Sequence, residues 1–278
     1  MRCGCAWTSA WTAGAVLAVV LAFSSIANAF VRQRVDTAAD APELWWRYRT
    51  IRMRPAYATL HDVPPESTRM AVLRSMDAWN AAAGPCSDLL FEEGEPATGL
   101  DTNLTRGEIR IDDAENRIVW REEPDWPEEA GTQTLALTTL IFRRTSGEIL
   151  DADMDLNAEH QYWTVTDVPG MVATDVQNTV THELGHVFGL GHSPDPDATM
   201  FFESAQGDLE KRTLAQDDID GLCFMYPAGR GTPGAPLLSQ PGLTSGCAVG
   251  SRGAHAPVFL LMSIVLLARR VGRRAVLR

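Results

Sequence analysis

The spacing of apolar residues along the chain changes several times, and each change marks an element. Residues 46–53 mix aromatic and alternating positions and predict a first strand. Pro64-Pro65-Glu66-Ser67 opens a helix on which Val72, Met76 and Trp79 recur at helical spacing, and Gly84-Pro85 stops it. Residues 89–92, 109–112 and 117–121 predict short strands. Residues 134–142 alternate, with Leu135, Leu137, Thr139 and Ile141 on one face. Residues 149–156 alternate too, with Asp151, Asp153 and Asp155 on one face. Two helices follow, over 171–188 and 215–225. Strand, helix, several strands, then two helices describe one mixed α+β domain over residues 44–226, with no internal repeat.

Both ends of the chain read as addresses. Residues 1–29 carry one base, Arg2, an apolar stretch over 16–23 and the small-x-small site Ala27-Asn28-Ala29, the pattern of a secretory signal peptide. The alternative is an N-terminal membrane anchor, for which the apolar run is short. Residues 30–43 form a short N-terminal segment. Residues 227–247 are a Pro/Gly-rich linker ending in Gly246-Cys247. Residues 248–278 hold an apolar run over 256–268 and an Arg cluster, either a sorting tail or a membrane anchor. This arrangement resembles the C-terminal sorting tail of myxobacterial surface proteins. That resemblance implies processing near Cys247, attachment at the cell surface, and transient or permanent membrane contact through the tail.

Composition refines the picture in two ways. The net charge is −12, every Asp and Glu lies between Asp36 and Asp220, and seven arginines sit in the two end segments, so the middle is more acidic than the total. Such a surface repels phosphates, which excludes nucleic acid as a partner. It suits solubility or divalent cations. Of five cysteines, only Cys86 and Cys223 belong to the middle region, and an exported pair suggests one disulfide.

The chemistry concentrates in residues 182–192, His-Glu-Leu-Gly-His-Val-Phe-Gly-Leu-Gly-His. His182 and His186 stand four apart, so both imidazoles leave one helix face. Val176, Val180, Leu184 and Val187 fall on the opposite, core face. Glu183 lies beside the metal face, where a carboxylate takes the proton of an attacking water. Gly189 ends the helix with the positive φ needed to bring His192 back as third ligand. Three imidazoles and an open position make a catalytic zinc site, whereas structural zinc takes four protein ligands. With six His in 278 residues, the whole string arises by chance at about one in 10⁵.

This pattern, followed by Met200 in Ala198-Thr199-Met200-Phe201, resembles the metzincin signature. Ser193 after the third His, and Leu214-Ala215-Gln216-Asp217-Asp218-Ile219, are similar to the matrixins. The resemblance implies a twisted, mixed five-stranded sheet with three helices and a zinc cleft between the sheet's edge and the C-terminal subdomain. Substrate would lie antiparallel to an edge strand, for which residues 134–140 are the candidate. Met200 would floor the site, and Asp217 would brace the turn that carries it. The chain departs from the family in three places. Only some 15 residues separate Ala29 from the first strand, too few for a zinc-capping propeptide. Phe201 and Phe202 replace the usual tyrosine after the turn. No His-rich loop for a second zinc is evident.

The expectation is a monomer, exported to the cell surface or beyond, that hydrolyses internal bonds of a protein or peptide substrate with one catalytic Zn²⁺. Ca²⁺ is a second candidate ion; Asp151, Asp153 and Asp155 are either its ligands or a solvated strand face. The alternatives are a peptidase dedicated to one sibling surface protein and a non-catalytic, metal-stabilised binding module. The presence of Glu183 argues against the last.

Overall fold

The computed structural model of the 278-residue chain describes residues 30–57, 60, 63–97, 99, 101–102, 104 and 115–234, together with the backbone of residues 259–263. The expected signal peptide, the expected strand at 109–112 and Cys247 lie outside the described residues.

The sheet is built from β2 (Thr50–Pro55), β3 (Leu90–Glu93), β4 (Asn116–Arg121), β5 (Ala136–Phe142) and β6 (Glu148–Asn157), in the order β3-β2-β4-β6-β5. The first four of these run parallel and β5 runs antiparallel to β6, in register from Ala136↔Leu156 to Ile141↔Asp151 with a shift before Phe142↔Ile149. Two further strands join this five-stranded core, giving seven instead of the five expected.

One is β1 (Trp45–Trp46), which pairs with the first residues of β6. The stretch 46–53 is therefore two strands. Successive side chains on a strand point to opposite faces, and the two indoles are tied to different places: Trp45 Nε1 donates to Ser146 O at 2.8 Å and Trp46 Nε1 to Val187 O at 2.7 Å. The other is β9 (Phe259–Ser263), antiparallel to β5 from Thr138↔Ser263 to Phe142↔Phe259. The edge expected at 134–140 is thus already paired on its outer side. β9 is also the described part of the apolar tail run. No helix among the described residues is long and apolar enough to cross a membrane.

Three helices complete the domain, α1 (Pro65–Ala83), α2 (Val176–Val187) and α3 (Gln216–Met225). α1 starts with Pro65 in its first turn, where a missing N–H costs nothing, and ends at Gly84. It packs against α2 through Ala71, Val72, Met76 and Trp79, all buried; Trp79 meets Phe188 edge-on at 4.7 Å. On α2, Val176, Val180, Leu184 and Val187 are fully buried, each contributing roughly 1.5–3 kcal/mol. α2 begins at Val176, five residues later than the apolar spacing suggested. Thr174–Asp175 forms β8, paired parallel with β7 (Trp163–Thr164), and Asp175 caps the helix by accepting from Asn178 N at 2.7 Å. Arg212 in turn pairs both carboxylate oxygens of Asp175.

Cys86 and Cys223 are joined by a disulfide, with Cα atoms 5.3 Å apart, within the ordinary range. It ties the end of α1 to α3. The N-terminal segment folds back over the end of α2. Gln33 N donates to Gly189 O at 2.8 Å, and Gly191 N to Val31 O at 2.8 Å.

Candidate metal centre and active site

His182 and His186 leave α2 one turn apart, and His192 returns to them after the chain reverses at Gly189. The reversal needs glycine twice over. Its φ is +104°, a region that β-carbons resist, and a Cβ there would stand 3.0 Å from Leu44 O. The three ligating nitrogens lie within 4.8 Å of one another; among the described residues, no other three His, Cys, Asp or Glu side chains come this close together.

The hydrogen bonds fix the tautomers. His182 Nδ1 faces Thr199 O at 2.6 Å and His186 Nδ1 faces Leu190 O at 2.8 Å. A carbonyl only accepts, so each Nδ1 carries the proton and each Nε2 keeps its lone pair. Yet the two Nε2 atoms stand 3.1 Å apart, and His192 Nε2 is buried with no partner. Bare nitrogens repel one another unless a cation sits between them. For Zn–N bonds of about 2.0–2.1 Å, a tetrahedron has edges of about 3.3 Å, close to the 3.1 Å between the first two rings. Burial also pushes all three imidazoles toward the neutral form: His182 well down, His186 to about 4 and His192 to about 3. Neutral imidazole is the form that binds metal. The donor set therefore fits one zinc ion.

Glu183 is fully buried beside these rings. Thr138 Oγ1, from β5, donates to its Oε2 at 2.6 Å, while Oε1 has no partner among the described residues. Burial raises its carboxyl to about 8, against the pull of Thr138 and Lys211, which favour the charged form.

Met200 lies under the helix, where a Cβ on Gly185 would collide with its Sδ. This close approach explains the glycine between Glu183 and His186. The brace expected from Asp217 comes from Asp218 instead. Its Oδ2 accepts from Thr199 N at 2.8 Å and from Ala215 N at 2.9 Å, and its Oδ1 accepts from Met200 N at 3.0 Å. Asp217 receives Ser193 Oγ at 2.7 Å and so ties the residue after the third His to α3. Phe202 packs at a tilt against His192, ring centroids 6.2 Å apart, and against Phe201 at 4.8 Å.

The acidic face of β6 is not solvated. Asp151, Asp153 and Asp155 are each at most 1% exposed. Asp155 pairs with Arg121 at 2.6 Å and accepts from Thr102, and Asp153 accepts from Arg117 N at 2.9 Å. Their three carboxylates do not converge within 4.8 Å of one another.

Four residues of the site escape a reading by motif: Gln33, Thr138, Lys211 and Asp218. Gln33 Nε2 lies 3.2 Å from His186 Nδ1. Lys211 is buried, donates to Phe201 O, and brings Nζ within 3.5 Å of His182 Nδ1; burial lowers it to about 8. It carried a signal, being the one lysine among 24 basic residues.

An HExxHxxGxxH helix over a methionine turn, set against a mixed sheet, defines a metzincin. A family model described as Matrixin matches residues 46–227. The chain belongs to the matrixin family. It is similar to human Matrix metalloproteinase-25, 28% identical over 191 residues, covering 68% of this chain and 31% of that protein. It is similar to rat Stromelysin-1, 31% identical over 183 residues, covering 65% and 33%. It is also similar to soybean Metalloendoproteinase 1, 43% identical over 70 residues, covering 24% and 23%. The chain thus spans about a third or less of the length of these relatives.

Proposed function

We propose that the chain is an exported zinc endopeptidase that hydrolyses internal bonds of protein or peptide substrates. The observation that carries this reading is the convergence of three neutral imidazoles beside a buried glutamate with one unpartnered oxygen. His182, His186 and His192 would hold the ion. When bound, zinc supplies a Lewis acid for the scissile carbonyl and makes a water more acidic. Glu183 Oε1 takes the proton of the attacking water and then gives it to the leaving amine. Thr138 holds Oε2, which fixes the carboxylate and favours its charged form. Lys211 adds positive charge nearby.

The substrate lies along β5. The pairing of β9 with β5 supports this, because it demonstrates that the outer edge accepts an antiparallel strand. A substrate in its place runs from the Phe142 end toward Thr138, which brings it to Glu183. Export rests on the N-terminal and C-terminal sequence patterns and on the disulfide.

The test is cleavage of casein and a peptide library, with and without a chelator, by the wild-type chain and by Glu183→Ala. Chelator-sensitive cleavage that Glu183→Ala abolishes supports the proposal. Unchanged cleavage by Glu183→Ala contradicts the mechanism, and a zinc-loaded chain inert toward the whole library favours a binding module.

A further inference from the structure

Residues 32–34 lie between the loop that leads to His192 and the residues just before β1. Arg32 is bridged antiparallel to Leu190, and Arg34 to Glu43. Gln33 N donates to Gly189 O at 2.8 Å, and Leu44 N donates to Gln33 O at 2.8 Å. The backbone of Gln33 is thus held from both sides. Side chains alternate along such an extended stretch. Arg32 and Arg34 both pair with Glu43, while Gln33, between them, turns inward and is buried. Its amide meets the far side of the His186 ring, with Nε2 3.2 Å from Nδ1.

That ring nitrogen already carries its proton, because Leu190 O stands 2.8 Å away and a carbonyl only accepts. Two donors cannot share the contact. The nitrogen and oxygen of a planar amide exchange places on a half-turn, and the half-turn sets Gln33 Oε1 against Nδ1 as a second acceptor. The Nδ1–H of His186 is then shared between Leu190 O and Gln33 Oε1. His182 has a different setting, with Thr199 O at 2.6 Å and the Lys211 ammonium 3.5 Å from its Nδ1. Acceptors at the far nitrogen hold the plane of the ring and make the metal-facing nitrogen a stronger base.

We infer that Gln33 is a positioning residue for the zinc site: its amide oxygen, delivered by the N-terminal segment, orients His186 and strengthens its bond to the metal. This rests on the zinc endopeptidase reading above. The competing role for Gln33 is packing, which needs the length of the side chain and not its oxygen.

The experiment measures the zinc affinity of the full chain by competition with a chromogenic chelator, for wild type, Gln33→Met and Gln33→Glu. Methionine keeps the length and removes the acceptor. Glutamate keeps an oxygen at the same reach, in the carboxylate–histidine–metal arrangement. Losing an outer partner of a metal-bound histidine costs about 10–100-fold in affinity, and Leu190 O remains, so Gln33→Met should raise the zinc Kd by about tenfold. Gln33→Glu should bind zinc at least as tightly as wild type. In NMR spectra of the zinc-loaded protein, the Nδ1 proton of His186 should shift and exchange faster with water in Gln33→Met, while that of His182 stays in place. Should Gln33→Met fail to fold, Gln33→Asn, one methylene too short for the contact, takes its place with the same expected loss. An unchanged Kd in the variant without the contact, or equal weakening by Gln33→Glu, overturns the inference and leaves the endopeptidase reading standing. A wild-type chain that binds no zinc overturns both.

Discussion

Replacing Thr138 by valine tests how the glutamate is held. The substitution keeps the β-branched shape and removes one hydroxyl, which donates at 2.6 Å to Glu183 Oε2 in a fully buried setting. A hydrogen bond to a charged group contributes about 1.5–3 kcal/mol. At 1.36 kcal/mol per pKa unit, its loss raises the Glu183 pKa by about 1–2 units. The sign follows from the donor: the hydroxyl stabilises the carboxylate, so removing it favours the protonated acid, which is inert as a base. In the zinc-loaded protein, the acidic limb of kcat/KM against pH should move upward by about 1–2 units. That is a loss of about 10–100-fold on the limb, with recovery at higher pH. Thr138→Ser should keep the wild-type profile. The assay is cleavage of one quenched peptide between pH 5 and 9. An unmoved limb, or a loss equal at every pH, would refute the reasoning.

The other expectations concern stability and metal. In the chelated protein Glu183 titrates at about 8 and in the unfolded chain near its ordinary 4.5, so across pH 6.5–8 the folded state holds a proton the unfolded state has lost. Stability should therefore fall as pH rises through that window, by roughly 2 kcal/mol, and Glu183→Gln should flatten the slope in denaturant titrations. Below that window the lowered histidines contribute, and above it Lys211. Gly185→Ala drives a methyl into Met200 and should lower stability by about 1–3 kcal/mol, read as a reduced midpoint in urea. Asp218→Ala leaves two backbone N–H groups of the Met turn and that of Ala215 at the start of α3 unpaired and should weaken zinc retention in a competition titration, whereas Asp217→Ala should not. The Cys86→Ser, Cys223→Ser pair opens a cross-link spanning 137 residues and should cost about 2–4 kcal/mol, measured by thermal unfolding.

The parts legible in the sequence are those where one local rule decides. Pro65 and Gly84 bound α1, and the four-residue spacing of His182 and His186 puts two rings on one face whatever surrounds them. The matrixin match over residues 46–227 agrees with that pattern. What escaped depends on contacts between distant residues. Residues 171–175 continue the apolar spacing of α2, but pairing with β7 and the Asp175 cap start the helix later. Alternation placed Asp151, Asp153 and Asp155 on one face correctly, and nothing local says that Arg121 and Thr102 bury it. Asp217 and Asp218 are adjacent, and only the approach of the Met turn decides which braces it. Thr138 and Glu183 are 45 residues apart, so the hydroxyl that orients the base has no signature of its own.

X-ray absorption at the zinc edge, on the full chain loaded with one equivalent of the metal, bears most directly on the site. It should give a four-coordinate ion with three imidazole nitrogens and one light atom at about 2.0–2.1 Å, and His192→Ala should remove one imidazole from the fit. A sulfur ligand, a fourth imidazole, or a spectrum that His192→Ala leaves unchanged would contradict it.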